Sequence, residues 1–284
     1  MMEARLQSLI NDLTLIVKKK LHGIQLGHRH SKKLGSGFIF DQLRDYQPGD
    51  DVRSIDWSGY ARTSKLFIRT YQEERMYPIL IVVDAAYSHA YGSGLRSKYE
   101  EIQRIAGLIA LVAAQSQQPV ELCIIQNNEI QRTGLKTGHA HSMHILTMLS
   151  ELFPHKQQMP QNLGKLIRTL ESQQRVLYVL SDFFTPIERQ DLSWLQAKHA
   201  LHLIRVIDPL EYKAPECFVP ISTESQHHYT PLSQYTAVDY IRNQNMLFRS
   251  MAIAHCTLFA DTDWSTLLRN FLEQKVIYES LPTM

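Results

Sequence analysis

Cysteine is scarce in this chain: Cys123, Cys217 and Cys256 are the only three in 284 residues. The count is odd and the spacing fits neither a metal knuckle nor a disulfide framework. Cys123 and Cys256 fall in apolar runs and read as small core residues, which suits a reducing compartment. Long apolar runs are missing too. The longest, residues 105–114, is about half the ~20 residues a bilayer needs and reads as a buried helix. The opening stretch carries Glu3 and Asp12 where a secretory leader has a cationic head and an apolar core, so the expectation is a cytoplasmic chain with no membrane span. A net charge of +2 gives no overall field to select nucleic acid.

Catalytic signatures are absent as well. There is no HExxH, no nucleophile elbow, no phosphate loop and no dinucleotide GxGxxG. Gly92-Ser93-Gly94 follows a strand but lacks the lysine of one phosphate motif and the spacing of the other. Repeats and low-complexity segments are also missing.

What the chain does have is periodic order. Leu6, Leu9, Ile10, Leu13, Val17 and Leu21 recur at helical steps. They run into a basic stretch with Lys18, Lys19, Lys20, Arg29, Lys32 and Lys33. Residues 1–34 therefore read as an amphipathic helix and a basic linker. No aromatics interleave with these cations, which argues against base stacking. Residues 35–77 form a charged β/loop extension whose strand is 66–71. From residue 78 onward, short apolar strands at 79–83, 120–126, 176–180, 202–207 and 257–260 alternate with helical segments near 97–117, 142–152, 163–172, 237–254 and 263–274. Asn127-Asn128 turns the second strand into a hairpin through 129–133. Thr185, Pro186 and Glu188 read as the start of another helix, and 209–234 reads as a loose insertion. Four strands end in aspartate: Asp84, Asp182, Asp208 and Asp261. The pattern predicts an α/β fold, a doubly wound, mostly parallel sheet with ligand-facing carboxylates at the carboxyl ends of its strands.

The densest stretch is 40–63. Phe40-Asp41-x-x-Arg44-x-Tyr46-x-Pro48-Gly49-Asp50-Asp51-x-Arg53-x-Ile55-Asp56-Trp57, followed by Ala61-Arg62-Thr63, resembles the signature of domain of unknown function family fifty-eight. Ser181-Asp182-Phe183 and Asp208-Pro209-x-Glu211 extend the likeness toward the C-terminus. The resemblance implies a von Willebrand factor A-like domain over 78–284, with strand order 3-2-1-4-5-6, behind an N-terminal helix and the 35–77 extension. It also implies a partner, a MoxR-type AAA+ ATPase. From the residues themselves, Arg44, Asp50, Asp51, Arg53, Asp56, Trp57 and Arg62 form either an ion-paired clamp or a surface that offers arginines to an acidic partner loop.

A-type domains hold a divalent cation with Asp-x-Ser-x-Ser, a threonine from a second loop and a further aspartate. The likeness maps Asp84, Ser88 and Asp182 onto that set, with Ala86 in place of one serine and Gly138-His139-Ala140 as the second loop. It thus implies a degenerate site for Mg²⁺ or another divalent ion. A carboxyl-edge contact face would then run through Asp84, Ser88, Gly138 and Asp182. His139, His141 and His144 offer imidazoles for zinc with Asp182, or form an exposed loop cluster. The functional expectation is a non-enzymatic interaction adaptor, with no catalytic residues. The alternative is a metal-dependent phosphohydrolase or nuclease using Asp84 and Asp182.

Overall fold

The computed structural model describes residues 11, 28–126, 129–151, 163–170, 173–185, 187–212 and 237–273. The expected N-terminal helix falls outside the described residues, apart from Asn11. The chain divides into two compact units, Gly27–Tyr77 and a second from Pro78 onward.

In the smaller unit, β1 (His28–Asp45) pairs antiparallel with β2 (Phe67–Met76), with three register irregularities along the ladder. Residues 28–34, expected as linker, thus lie in a strand. Likewise Gln72 to Arg75, expected as a charged link, continue β2. In both places ladder bonds to a distant segment override a polar local sequence, as strand propensity alone does not foresee. Between the strands sits the short helix α1 (Trp57–Thr63), which ends on Ser64 in the left-handed region.

The larger unit carries a six-stranded sheet. Its strands are β3 (Ile79–Asp84), β4 (Val120–Gln126), β5 (Glu129–Arg132), β6 (Val176–Ser181), β7 (Ala200–Ile207) and β8 (Ala254–Phe259), in the order β5-β4-β3-β6-β7-β8. Counted from β3, that is the 3-2-1-4-5-6 order the resemblance implies, and every pair is parallel except the β4–β5 hairpin. β3, β6 and β7 are buried at every position, because helices cover both faces of a parallel sheet.

Alternation along the strands sends Leu80, Val82, Leu177, Val179, Leu201 and Leu203 to one face. There they pack with Leu163, Ile167, Leu192, Leu195 and Phe248 from α4 (Leu163–Leu170), α5 (Arg189–Lys198) and α7 (Ala237–Ser250). The other face takes α2 (Lys98–Gln115), whose residues from Ile105 to Ala114 are all buried. α3 (His139–Glu151) packs beside it, with Ser142 Oγ donating to the Ala110 carbonyl at 2.8 Å. α8 (Ser265–Leu272) adds Phe271, edge-on to His202 at 5.6 Å. Each buried Ile or Leu contributes about 1.5–3 kcal/mol.

One helix start moves. α5 begins at Arg189, after Glu188 with no side-chain cap, rather than at Thr185. Phe183 and Ile187 are both buried, so the segment follows core burial and not the local capping pattern; Pro186 itself is outside the described residues.

Candidate functional site

All four strand-end aspartates stand at the carboxyl edge, and all four are engaged by the chain itself. Asp84 Oδ2 accepts from Ser181 Oγ at 2.7 Å, and Oδ1 accepts from the Ala86 N–H at 3.1 Å. Asp182 Oδ2 accepts from Ser88 Oγ at 3.0 Å and from Lys98 Nζ at 2.9 Å, while Oδ1 accepts from the Phe184 N–H at 3.0 Å. Asp208, fully buried, takes the Ser93 N–H at 2.6 Å and the Ser93 hydroxyl at 2.5 Å. Asp261 accepts from the Leu95 N–H and faces Arg96 at 3.5 Å. The segment from Ala86 to Lys98 is thus fastened to the ends of four strands. Gly94 is needed in this clasp, because a methyl there would run into the Asp261 carboxylate.

The cation at the centre is Lys98. It is the first residue of α2, after Ser97, whose side chain and Glu100 form a reciprocal capping box. Its ammonium is 1% exposed and bridges Asp182 and Glu211, the latter at 2.7 Å. It also stands 5.2 Å from the Phe184 ring centroid. Glu211 is placed by the helical turn α6 (Pro209–Tyr212), where its other oxygen accepts the Asp208 N–H at 3.0 Å. Ser181-Asp182-Phe183 and Asp208-Pro209-x-Glu211, far apart in sequence, therefore meet on one lysine. Phe183 itself sits in the left-handed region (φ 55°) and is buried. Gln244 and Tyr240 donate to its carbonyl at 2.9 and 3.0 Å.

Burial alone would push the Asp182 carboxyl up, but His89 and Lys98 outweigh it and hold it well below the usual carboxylate range. Lys98 is the mirror case: burial disfavours its charge, and Asp182 and Glu211 hold its pKa above the ordinary value. His89 is fully buried. Its Nε2 lies 3.0 Å from the Asp182 backbone nitrogen and 3.3 Å from Oδ1. A neutral ring accepts the backbone N–H; a charged ring gives its proton to the carboxylate. Burial opposes the imidazolium, and the Asp182 charge raises the pKa in spite of it. Asp84 goes the other way, since burial raises its carboxyl.

Asp84, Ser88 and Asp182 are thus brought together as expected, but Gly138 and His139 are not. The hairpin reverses the chain, so Lys136 pairs with Val120, the first residue of β4. His141 Nε2 donates to the Val120 carbonyl at 3.0 Å. Gly138 and His139 therefore lie at the amino edge, roughly 17 Å from the carboxyl edge at about 3.3 Å per strand residue. The contact face expected to join Gly138 with Asp84 does not form. For the same reason zinc held by His139, His141 and His144 cannot recruit Asp182. Among the described residues no cluster of His, Cys, Asp and Glu has the makings of a metal centre. α3 then returns antiparallel to α2, with the Leu149 carbonyl bonded to Gln103 near the start of that helix. The chain between α3 and α4, residues 152–162, is outside the described residues, and its sequence has no hydroxyl or carboxylate side chain.

Tested against these donors, a divalent ion does not fit. Ala86 supplies no oxygen in its side chain, the threonine loop has no counterpart, and each oxygen of Asp84 and Asp182 already carries a donor. Asp182 also carries the Lys98 charge, which repels a metal.

In the smaller unit the charged motif separates into fasteners and exposed side chains. Arg44 grips Asp50 through two bonds of 2.7 and 2.5 Å, and Asp50 also accepts the Gln47 N–H at 2.8 Å. Asp51 caps a 3₁₀ turn by accepting the Arg53 N–H at 2.9 Å. Asp56 is buried and pairs with Arg69 at 2.6 Å. Arg44 and Arg69, through these bonds, hold the Asp50 and Asp56 carboxyls below the usual range. A methyl on Gly59 would come within 2.6 Å of the Asp56 carboxylate, which accounts for the glycine. Arg53 and Arg62 are exposed. Trp57 is 60% exposed and stands edge-on to the exposed Tyr60 at 6.3 Å. Lys98, Glu211 and His89 are the residues that sequence reasoning missed. A lysine at the start of a helix that runs on into the apolar stretch 105–114 was the available signal.

The family described as Protein of unknown function DUF58 matches residues 42–229, about two thirds of the chain. Uncharacterized protein Rv1480 of Mycobacterium tuberculosis and uncharacterized protein Mb1516 of Mycobacterium bovis are each 27% identical over 218 residues, covering 75% of this chain and 69% of theirs. Among solved structures, the conserved hypothetical protein BatB from Bacteroides thetaiotaomicron has a TM-score of 0.46 at 12% identity, covering 70% of this chain and 98% of its own. The SpRpn10 VWA domain has a TM-score of 0.41 at 11% identity, with coverage of 72% and 98%. No helix among the described residues is long and apolar enough to cross a membrane. With its motif residues in place at both ends of the match, the chain belongs to the DUF58 family.

Proposed function

We propose that this chain is a non-enzymatic protein-interaction adaptor that works with a MoxR-type AAA+ ATPase in the assembly or maturation of protein complexes. The observation that carries the reading is the exposed end of the charged motif. Trp57 stands 60% exposed beside Tyr60, with Arg53 and Arg62 also turned to solvent. Tryptophan, tyrosine and arginine are the residues that dominate binding energy at protein interfaces. Arg44, Asp50, Asp51 and Asp56 hold the turn that presents them. The hydrolase alternative finds less support. Asp84 and Asp182 spend their oxygens on Ser181, Ser88, Lys98 and backbone amides, leaving no pair of carboxylates to hold a metal and a water. The name of the ATPase class comes from the family resemblance, and the acidic loop it would offer comes from the exposed arginines.

The test is capture of the purified ATPase on immobilised chain, repeated with W57A and with R53E/R62E. The expected result is capture by the unaltered chain and a loss of about tenfold or more in each variant, at the scale of a hot-spot residue. Undiminished capture by both variants, or none by the unaltered chain, sinks the proposal.

A further inference from the structure

The lysine at the centre of the carboxyl edge lies where helix physics disfavours it. A cation at the first position of a helix opposes the positive end of the macrodipole, and burying an ammonium costs several kcal/mol unless it is well paired. Lys98 bears both penalties, at 1% exposure. What compensates is a nest of acceptors drawn from separate strand ends. Asp182 follows β6, and Glu211 sits on the turn after β7. Ser88 Oγ, from the loop after β3, donates to the same Asp182 oxygen that holds the ammonium. The Phe184 ring closes one side. A side chain from α2 thus reaches Asp182 on the very oxygen it shares with Ser88, two of the three residues that would have held a metal.

We propose that Lys98 is the resident cation of this edge: its ammonium takes the place of the divalent ion that A-type domains hold, and makes the carboxyl edge independent of metal. A tethered charge supplies what the ion would supply, a positive centre that draws the loops after β3, β6 and β7 together. It does so with one charge instead of two, and with no open coordination position for a partner's carboxylate. The loss of one serine, to Ala86, and of the threonine loop follows the same logic, because an ammonium needs only the acceptors it has. The edge is then built to stay closed in the presence of chelators.

The experiment uses Mn²⁺ as the probe, followed by its paramagnetic resonance signal in the full chain, the K98A variant and K98A/D182N. The unaltered chain is expected to leave millimolar Mn²⁺ free, with the same melting temperature in Mn²⁺ and in EDTA. K98A, which vacates the ammonium's volume and leaves Asp182, with Ser88 on the same oxygen, and Glu211 facing it, is expected to bind Mn²⁺ about tenfold or more tighter than the unaltered chain. K98A/D182N is expected to lose that binding. Mn²⁺ should also raise the melting temperature of K98A. Should K98A fail to fold, K98Q, which places a neutral oxygen at the end of the side chain, goes through the same titration. Saturable binding by the unaltered chain that disappears in D182N overturns the proposal, and so does a folded K98A or K98Q that leaves Mn²⁺ free.

Discussion

The Lys98–Asp182 pair predicts a specific pattern of coupling. Lys98 is 1% exposed and Asp182 3%, with 2.9 Å between them, so each side chain depends on the other for a charge that water does not reach. Removing one member of a buried pair costs about 3–5 kcal/mol, because the survivor stays buried and uncompensated. The lower end applies here. In D182A the ammonium keeps Glu211 at 2.7 Å, and in K98M the carboxylate keeps Ser88, the Phe184 amide and His89. Each single variant should therefore lose about 3 kcal/mol, which at about 2–4 °C per kcal/mol for a unit of this size lowers the melting temperature by about 6–12 °C. The double variant K98M/D182A should lose less than the sum, by about 1–3 kcal/mol, since contacting residues in one network couple at that scale. Urea unfolding followed by tryptophan fluorescence measures all three. A W57F background confines the signal to Trp194 and Trp264, both in the larger unit, so that unfolding of the smaller unit does not enter. Additive losses, agreeing within about 0.5 kcal/mol, would falsify the pairing, and so would a D182A variant as stable as the parent.

Three further outcomes rest on other contacts. S97A removes the hydroxyl half of the capping box at the start of α2 and should cost about 1 kcal/mol in the same urea titration; an unchanged midpoint would show that Lys98, not the cap, fixes the helix start. G94A drives a methyl into the Asp261 carboxylate and should loosen the Ala86–Lys98 clasp, read as faster amide exchange at Leu95 and Ser93; protection equal to the parent contradicts the clasp. His141 and His255 are buried, and burial lowers the pKa of each. The unfolded chain therefore takes up protons near the ordinary pKa of about 6.5 while the folded chain resists. Their contribution to stability is full above that pH and is lost as the pH falls through the window below it. H141Q keeps a donor toward the Val120 carbonyl and should flatten this decline below about pH 6.5. A slope identical to the parent's would assign the decline to other groups.

How far the molecule could be read from its sequence depended on whether the signal was local. Apolar runs closed by aspartate announced β3, β6 and β7 and set Asp84, Asp182 and Asp208 at one edge, because a parallel strand buried on both faces must be apolar throughout. The hairpin was equally legible from Asn127-Asn128, and its direction held a consequence that the likeness to a metal loop does not carry. A strand that runs back down the sheet delivers the next segment to the amino edge, so Gly138 could not face Asp84 whatever its resemblance to such a loop. The ion pairs were not legible. Asp56 finds Arg69 thirteen positions on, across a turn whose path is set by β1 and β2, and Lys98 finds Asp182 across eighty-four.

The two cases share a cause, and it bears on function. Charged residues in a sequence look alike whether they fasten the fold or face a partner, and only the geometry separates them. Here it assigns Arg44, Asp50, Asp51, Asp56, Asp84, Asp182 and Lys98 to fastening, each with its charge or lone pairs spent within the chain. Arg53 and Arg62 remain exposed, as do the paired rings of Trp57 and Tyr60. An edge whose carboxylates are all engaged has no ligand position to offer, whereas an exposed tryptophan flanked by arginines has contact area and charge at little entropic cost. The two ends of the family signature thus serve opposite ends: the later motifs close the sheet edge around Lys98, and the first motif fastens the turn that leaves Trp57, Tyr60, Arg53 and Arg62 exposed, the surface we propose for a partner.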